Sequence, residues 1–484
     1  MADLNTRRVF LRRGMGALGV LSIGSSLLAA CSQPAAAPTA APTAAAAAKP
    51  TTAPAPTTAP APTTAPTAAA KPTVAAAAAP TAAPTTAAAA TTAPAANAVT
   101  VGSNFSDAVP KKAIQAVFDA FTQKTNIPLA VNSVDHNTFQ EQINTYLQGK
   151  PDDVFSWFAG NRMQFFAAQG LSMPIDDVWQ KVGSNYSDAM KAASTGADNH
   201  QYFIPIYNYP WVVSYRKSLF QDKGYQVPKT MDDLKGLADK MKTDGITPFA
   251  FADKQGWPAM GTFDILNMRI NGYDFHISLM AGKEKWTDDR VRKVFSTWAD
   301  MLPLHQEGAL GRDWQEAAQT LVGKQTGMML LGTFIAQQFT NKADADDLDF
   351  FPYPQIDAQW GQDSIDAPID GFMLSKAPKQ VDGAKQFLQF LSTGEAQGIY
   401  LANDPSFIAA AKDAKTDGYT PLQKKSLDLV NSAKHIAQFM DRDTRPDFAS
   451  TVMIPSIQQF LGKPDDIDGL LKSIEDQKNS IFVG

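Results

Sequence analysis

The residues best equipped for chemistry in this chain are aromatics set beside amides, carboxylates and guanidines. Tyr207-Asn208-Tyr209-Pro210-Trp211 packs three aromatics and an amide into five residues. Trp157 closes an apolar run, with Asn161 and Arg162 directly after it. Gly256-Trp257-Pro258 punctuates the start of a stretch carrying Asp264 and Asn267, and Gly332-Thr333-Phe334 follows another apolar run. Asp366-Ala367-Pro368-Ile369-Asp370-Gly371-Phe372 and Asp441-Arg442-Asp443-Thr444-Arg445-Pro446-Asp447 add carboxylates, a further aromatic and guanidines. Flat aromatic faces joined to a few bidentate polar groups suit a ligand with apolar C–H faces and a rim of hydroxyls. Each position has a structural alternative. An aromatic near a strand end packs in a core, and the Asp441–Asp447 run forms surface or interlobe ion pairs. Trp286, Trp298 and Trp314 have helix-like neighbours and read as core.

Enzymatic constellations are poorly represented. His136, His200, His276, His305 and His435 are scattered, with no pair at metal-ligand spacing. There is no G-x-S-x-G elbow and no phosphate-cradling loop. No catalytic residue, metal site or cofactor is therefore expected. The paired carboxylates of a glycoside hydrolase stay open as an alternative, because their separation is spatial and not sequential.

These residues must be positioned by alternating strands and helices. Val99–Gly102, Ile127–Val131 and Asp153–Phe158 read as strands, and Trp157 sits where open α/β sheets place their ligands. Ile114, Val117, Phe118 and Phe121 recur at helical spacing, as do Phe139, Ile143, Tyr146 and Leu147. Arg162–Gln169 reads as a third helix. Further strands are expected at Trp211–Tyr215, Phe249–Phe251, Gly327–Leu331 and Gly371–Leu374, with a mainly helical C-terminal part. The pattern predicts parallel sheet covered by helices on both faces.

The first 97 residues differ in kind. Thr6-Arg7-Arg8-Val9-Phe10-Leu11-Arg12 is a twin-arginine pattern, followed by an uncharged stretch and Leu28-Ala29-Ala30-Cys31, a lipobox around the only cysteine. Residues 1–30 are expected to be a signal peptide, and Cys31 a lipidated N-terminus anchoring the chain to the outer face of the cell membrane. Two acyl chains suffice for stable anchoring at about 0.8 kcal/mol per buried methylene. Residues 31–97 are almost entirely Ala, Pro and Thr, too poor in large apolar groups to offset ordering entropy. They read as a disordered tether reaching on the order of 200 Å when extended. The remaining 387 residues carry 37 basic and 47 acidic side chains, a net charge of −10. That balance disfavours nucleic acid as a partner.

Several segments resemble extracellular solute-binding proteins of the carbohydrate type (family 1), lipoprotein components of ATP-binding-cassette importers. Lys150-Pro151-Asp152-Asp153-Val154-Phe155-Ser156-Trp157-Phe158-Ala159-Gly160, with Phe165–Leu171 and Pro174-Ile175-Asp176, resembles their early segment. Tyr209–Phe220 resembles their interlobe crossing, and Gly371–Lys376 with Ala384–Leu388 resembles the return. Val227-Pro228-Lys229-Thr230-Met231-Asp232-Asp233-Leu234 is similar to their helix start P-x-T-W-D-E-L, with Met231 in place of Trp. The resemblance implies a type II periplasmic-binding-protein-like α/β fold of two lobes that close on a sugar. It places lobe one at 98–208 with 371–420 and lobe two at 209–370 with 421–484. The crossings fall near Ile206–Pro210, Asp370–Gly371 and Tyr419–Leu429. The expected ligand-binding set is Trp157, Asn161, Arg162, Tyr207, Asn208, Tyr209, Trp257, Asp264, Phe334, Asp370, Phe372, Asp441 and Arg442. Trp157 and Trp257 would stack on the ligand from opposite lobes. The implied partners are a sugar or oligosaccharide and an importer permease with its ATPase, the chain acting as a monomer. The alternatives are a lipid-anchored glycoside hydrolase and a solute-binding protein for a non-sugar solute.

Overall fold

The computed structural model describes residues 97–483. The expected signal peptide, the lipidation site Cys31 and all but the last residue of the tether lie outside the described residues. The first sheet has six strands: β1 (Val99–Ser103), β2 (Leu129–Ser133), β3 (Val154–Phe158), β4 (Phe203–Asn208), and two that return late in the chain. Numbered in chain order among the twelve strands of the described residues, these last two are β10 (Ile369–Leu374) and β11 (Ile408–Ala409). Their order is β11-β4-β10-β3-β1-β2. The strands β1, β2 and β3 are parallel, as the alternation with helices predicts, whereas β10 runs antiparallel to both β3 and β4.

All five residues of β3 are buried because helices cover both faces of the sheet. Val154 joins one apolar cluster with Ile114, Val117, Phe118 and Phe121 of the helix Ala108–Thr125. Phe155 and Trp157 join the other, with Phe139, Ile143 and Leu147 of the helix His136–Gln148. The period of two in the strand and the three-to-four spacing in the helices thus meet in one packed layer.

The second sheet is built from β5 (Trp211–Arg216), β6 (Thr247–Phe249), β7 (Thr326–Gly332) and β8 (Leu348–Phe351) in the order β6-β7-β5-β8. The helix Met231–Thr243 beside it begins with a full capping box, Thr230 with Asp233, at the P-x-T motif. The short parallel pair β9 (Ser364–Asp366) and β12 (His435–Ala437) adjoins the crossings. The helices Ile454–Gly462 and Ile467–Ile481 end the described chain. None of the described helices is long and apolar enough to cross a membrane.

The first crossing is Tyr209-Pro210, between the last residue of β4 and the first of β5. Ala367-Pro368 links β9 to β10. Asp370 and Gly371 lie inside β10, where Asp370 pairs with Phe158 and Tyr207, so Ile369 and Asp370 belong to the first sheet. The third link is the helix Pro421–Ser432 leading into β12.

Candidate ligand-binding cleft

Loops at the ends of β1 and β3, the crossings, and the second sheet converge on a cavity of about 120 Å³. On the first-sheet side it is lined by Asn104 and Phe105 after β1, by His136 and Gln140 at the start of their helix, by Trp157 and Phe158 at the end of β3, and by Arg162 and Asp370. This is the carboxyl end of the parallel strands, the usual ligand position in open α/β sheets. On the other side stand Trp211, Trp257, Trp314, Phe334, Phe439, Asp441 and Arg442.

The far wall is an aromatic corner. Trp257 meets Trp211 edge-on at 6.4 Å and 86°, and lies 6.0 Å from Phe334. Trp314 and Tyr209 each meet the Phe334 ring edge-on, at 5.1 and 5.5 Å. Trp211 is fixed from behind by Gly261, where an added Cβ would sit 2.3 Å from the indole. The indole nitrogens of Trp211 and Trp257 are buried and have no hydrogen-bond partner in the protein. Buried indole N–H groups ordinarily find one.

The near wall is an ion-pair network. The Arg162 guanidinium donates to Asp441 Oδ2 and to Gln140 Oε1, both at 2.7 Å. Arg442 donates to Asp370 Oδ1 at 2.7 Å, to the Ile369 carbonyl and to the Tyr209 hydroxyl, both at 3.2 Å. Both guanidinium groups lie over the Phe158 ring, at 4.8 and 4.4 Å. Burial lowers the pKa of Arg162 against the opposing pull of Asp441, and raises that of Asp370 against the pull of Arg442. Burial likewise lowers the pKa of His136 against the opposing pull of Asp370. Arg162 Nε is buried without a hydrogen-bond partner, and Arg442 Nε and Asp441 Oδ1, likewise without a hydrogen bond, face one another at 3.8 Å. The cleft therefore offers donors and an acceptor, with each guanidinium paired to a carboxylate.

Of the residues expected from sequence, Trp157, Arg162, Tyr207, Tyr209, Trp257, Phe334, Asp370, Asp441 and Arg442 are brought together around this cavity. The other four are not. Phe372 is fully buried and stacks on Phe105 at 6.0 Å, inside the first lobe's core. Asp264 is fully buried behind the cleft, where its Oδ2 accepts from the Met440 amide at 2.6 Å. Asn161 and Asn208 line a separate cavity of about 640 Å³, with Arg442 as the shared wall. Trp157 has a different part from the one expected. It is 1% exposed, and the Arg162 guanidinium covers its ring at 4.8 Å, so it braces Arg162 and offers no free face. Trp314, expected in the core, reaches the cavity wall. His136, Phe439 and the Asn104–Asp107 loop were missed. The loop directly follows β1, so the strand-end rule that singled out Trp157 could have found it.

Residues 106–398 match the bacterial extracellular solute-binding protein family. The chain belongs to that family. It is 27% identical over 382 residues to an uncharacterized ABC transporter extracellular-binding protein of Pyrococcus horikoshii, covering 76% of this chain and 81% of the relative. It is 26% identical over 342 residues to the alpha-glucosides-binding periplasmic protein AglE of Rhizobium meliloti, covering 66% of this chain and 74% of that one. Among solved structures, the bacterial solute receptor AcbH superposes with a TM-score of 0.78 at 50% identity, over 79% of this chain and 99% of that one. AcbH has an exclusive substrate preference for β-D-galactopyranose. A chitin oligosaccharide binding protein shares the two-lobed fold, with a TM-score of 0.72 at 21% identity over 80% and 99% of the two chains. This solute-binding protein thus has the two-lobed α/β architecture of sugar receptors serving ABC importers.

Proposed function

We propose that the chain captures one neutral pyranose, β-D-galactopyranose first among candidates, in the cleft between its lobes and delivers it to an ABC import permease. The observation that carries this reading is the set of buried groups on the cavity wall without hydrogen bonds: the Trp211 and Trp257 indole N–H donors and Arg162 Nε, with Arg442 Nε and Asp441 Oδ1 held apart at 3.8 Å. A ring bearing hydroxyls on its rim and C–H on its faces satisfies such groups and fills an aromatic corner. The pairing of Arg162 with Asp441 and of Arg442 with Asp370 favours an uncharged ligand, since an anionic sugar would have to displace a buried carboxylate. The 50% identity to a galactopyranose receptor supports the choice of sugar.

The lobes meet on either side of the Tyr209-Pro210 and Ala367-Pro368 crossings, about 98–208 with 369–420 for the first and 209–366 with 421–484 for the second. Gln315 Nε2 donates to Asp107 Oδ2 at 3.2 Å and Gln337 Nε2 to Asp404 Oδ2 at 2.9 Å, contacts that would hold the lobes together. Asp370 and Asp441 on the cavity wall are each engaged by a guanidinium group, which supports a binding role without chemistry. Export through the twin-arginine pattern, lipidation at Cys31 and the Ala/Pro/Thr tether complete a delivery device, as a tethered receptor has a raised local concentration at its permease. The receptor acts as a monomer.

A thermal-shift panel of neutral hexoses, uronic acids and disaccharides tests the assignment. A sugar at 100 times its dissociation constant stabilises by about 2.7 kcal/mol, a shift of a few degrees. Stabilisation by D-galactose but not by galacturonate is expected. Release of reducing sugar from a glycan, abolished by changing one carboxylate, would contradict the reading.

A further inference from the structure

Asp441 and Arg442 reach the cleft from a single helical turn, Met440–Asp443, that follows a strained residue. Phe439 has φ 146° and ψ 150°, a conformation open to glycine and disfavoured for a side chain of this size. Such a residue persists only when its surroundings over-determine it. Gly160 makes part of that surrounding possible, because a Cβ there would meet the Arg442 carbonyl oxygen at 2.8 Å. A turn this short also leaves its first amides without helical partners. The Met440 amide donates to Asp264 Oδ2 at 2.6 Å, and both residues are fully buried. Thr444 Oγ1 donates to the Met280 carbonyl at 2.6 Å at the far end of the turn.

We infer that Asp264 is a positioning residue for the sugar cleft, holding the Met440–Asp443 turn so that Asp441 and Arg442 face Arg162 and Asp370. The inference rests on the proposed function. Asp264 does not border the cavity, so it acts through the turn and not on the ligand. Its burial beside Asp366 and Asp443 raises its pKa well above the usual carboxylate range. Its Oδ2 takes the Met440 hydrogen bond. An asparagine side chain offers the same acceptor in the same shape.

Three variants of the full chain decide the matter: Asp264→Ala, which deletes the acceptor, Asp264→Leu, which deletes it but keeps the volume, and Asp264→Asn, which restores it. Either of the first two suffices should the other not fold. Calorimetric titration with D-galactose is expected to show at least tenfold weaker binding for Asp264→Ala and Asp264→Leu, with Asp264→Asn recovering to within about threefold of the unaltered protein. In an Asp441→Ala background the same deletion is expected to cost less than in the unaltered chain, since part of its effect runs through the side chain already removed. Hydrogen exchange of the Met440 amide in the ligand-free chain should quicken at least tenfold in the deletion variants and not in Asp264→Asn. Equal losses in all three variants, fully additive loss with Asp441→Ala, or unaltered exchange would overturn the inference. An unaltered protein that binds no sugar would instead overturn the proposed function, and the exchange measurement would still decide whether Asp264 holds the turn.

Discussion

Trp257→Ala is the substitution from which most can be read. The indole borders the cleft beside Trp211 and Phe334, and its Nε1–H is buried without a protein partner. Truncation removes a stacking face, worth about 1–3 kcal/mol at a well-packed binding hot spot. It also removes one hydrogen bond to a sugar hydroxyl, worth about 0.5–1.5 kcal/mol net. Together these amount to roughly 1.5–4.5 kcal/mol, or about 12- to 1600-fold in dissociation constant at about 1.4 kcal/mol per decade. Trp257→Phe separates the two contributions, keeping an aromatic face and losing the donor, and is expected to weaken binding about 2- to 12-fold. Calorimetric titration with D-galactose, beside the thermal unfolding of each ligand-free variant, gives both numbers. A folded Trp257→Ala protein with unaltered affinity would refute the placement of the sugar against this corner. Equal losses in the two variants would refute a stacking contribution.

Other perturbations follow from the same geometry. Asp370→Ala removes the nearer of the two carboxylates beside the buried Arg442 guanidinium, leaving Asp441 at 3.8 Å, and should cost up to about 3–5 kcal/mol of stability, measured by denaturant titration. Gly261→Ala drives a methyl into the Trp211 ring. It should cost about 1–3 kcal/mol and weaken sugar binding, measured by denaturation and titration together. Asp253 accepts from the Ala259 amide at the start of the helix behind Trp257, and burial raises its pKa to about 7. Because this folded-state pKa lies above the unfolded one, its contribution is fully present below about pH 4 and is lost as pH rises through 7. Roughly three units correspond to about 4 kcal/mol, and Asp253→Asn should flatten that part of the stability profile. Cys31→Ala should release the chain from the membrane fraction into the medium, seen by fractionation and immunoblot.

Much of the first lobe was legible because its periodicities are unmixed. Val99 to Phe158 alternates strand and helix with apolar residues at spacings of two and of three to four, and the three strands fall within two residues of their expected bounds. Strand β4 was not legible as such. All six of its residues are buried, and Phe203–Asn208 runs without alternation into the crossing that the aromatics advertise. Gly371 looks like a boundary in sequence, and it sits at an irregularity in the β10–β4 pairing. Residue type could suggest the cleft but not its direction. Asp264 is a carboxylate on an apolar helix, which reads as a ligand contact until its partner proves to be a main-chain amide 176 residues later. Phe372 and Phe334 are alike in type and differ only in which side of a sheet or loop they occupy. The charged run at Asp441 was ambiguous between ion pairs and ligand contact, and the structure shows why: its residues form ion pairs on the cavity wall.

The most direct test of the central claim is a calorimetric titration of the purified chain with D-galactose. Saturable binding of one sugar per chain, competed by neither galacturonate nor a disaccharide, is the predicted result. No heat and no saturation with galactose or any other neutral hexose would contradict the account.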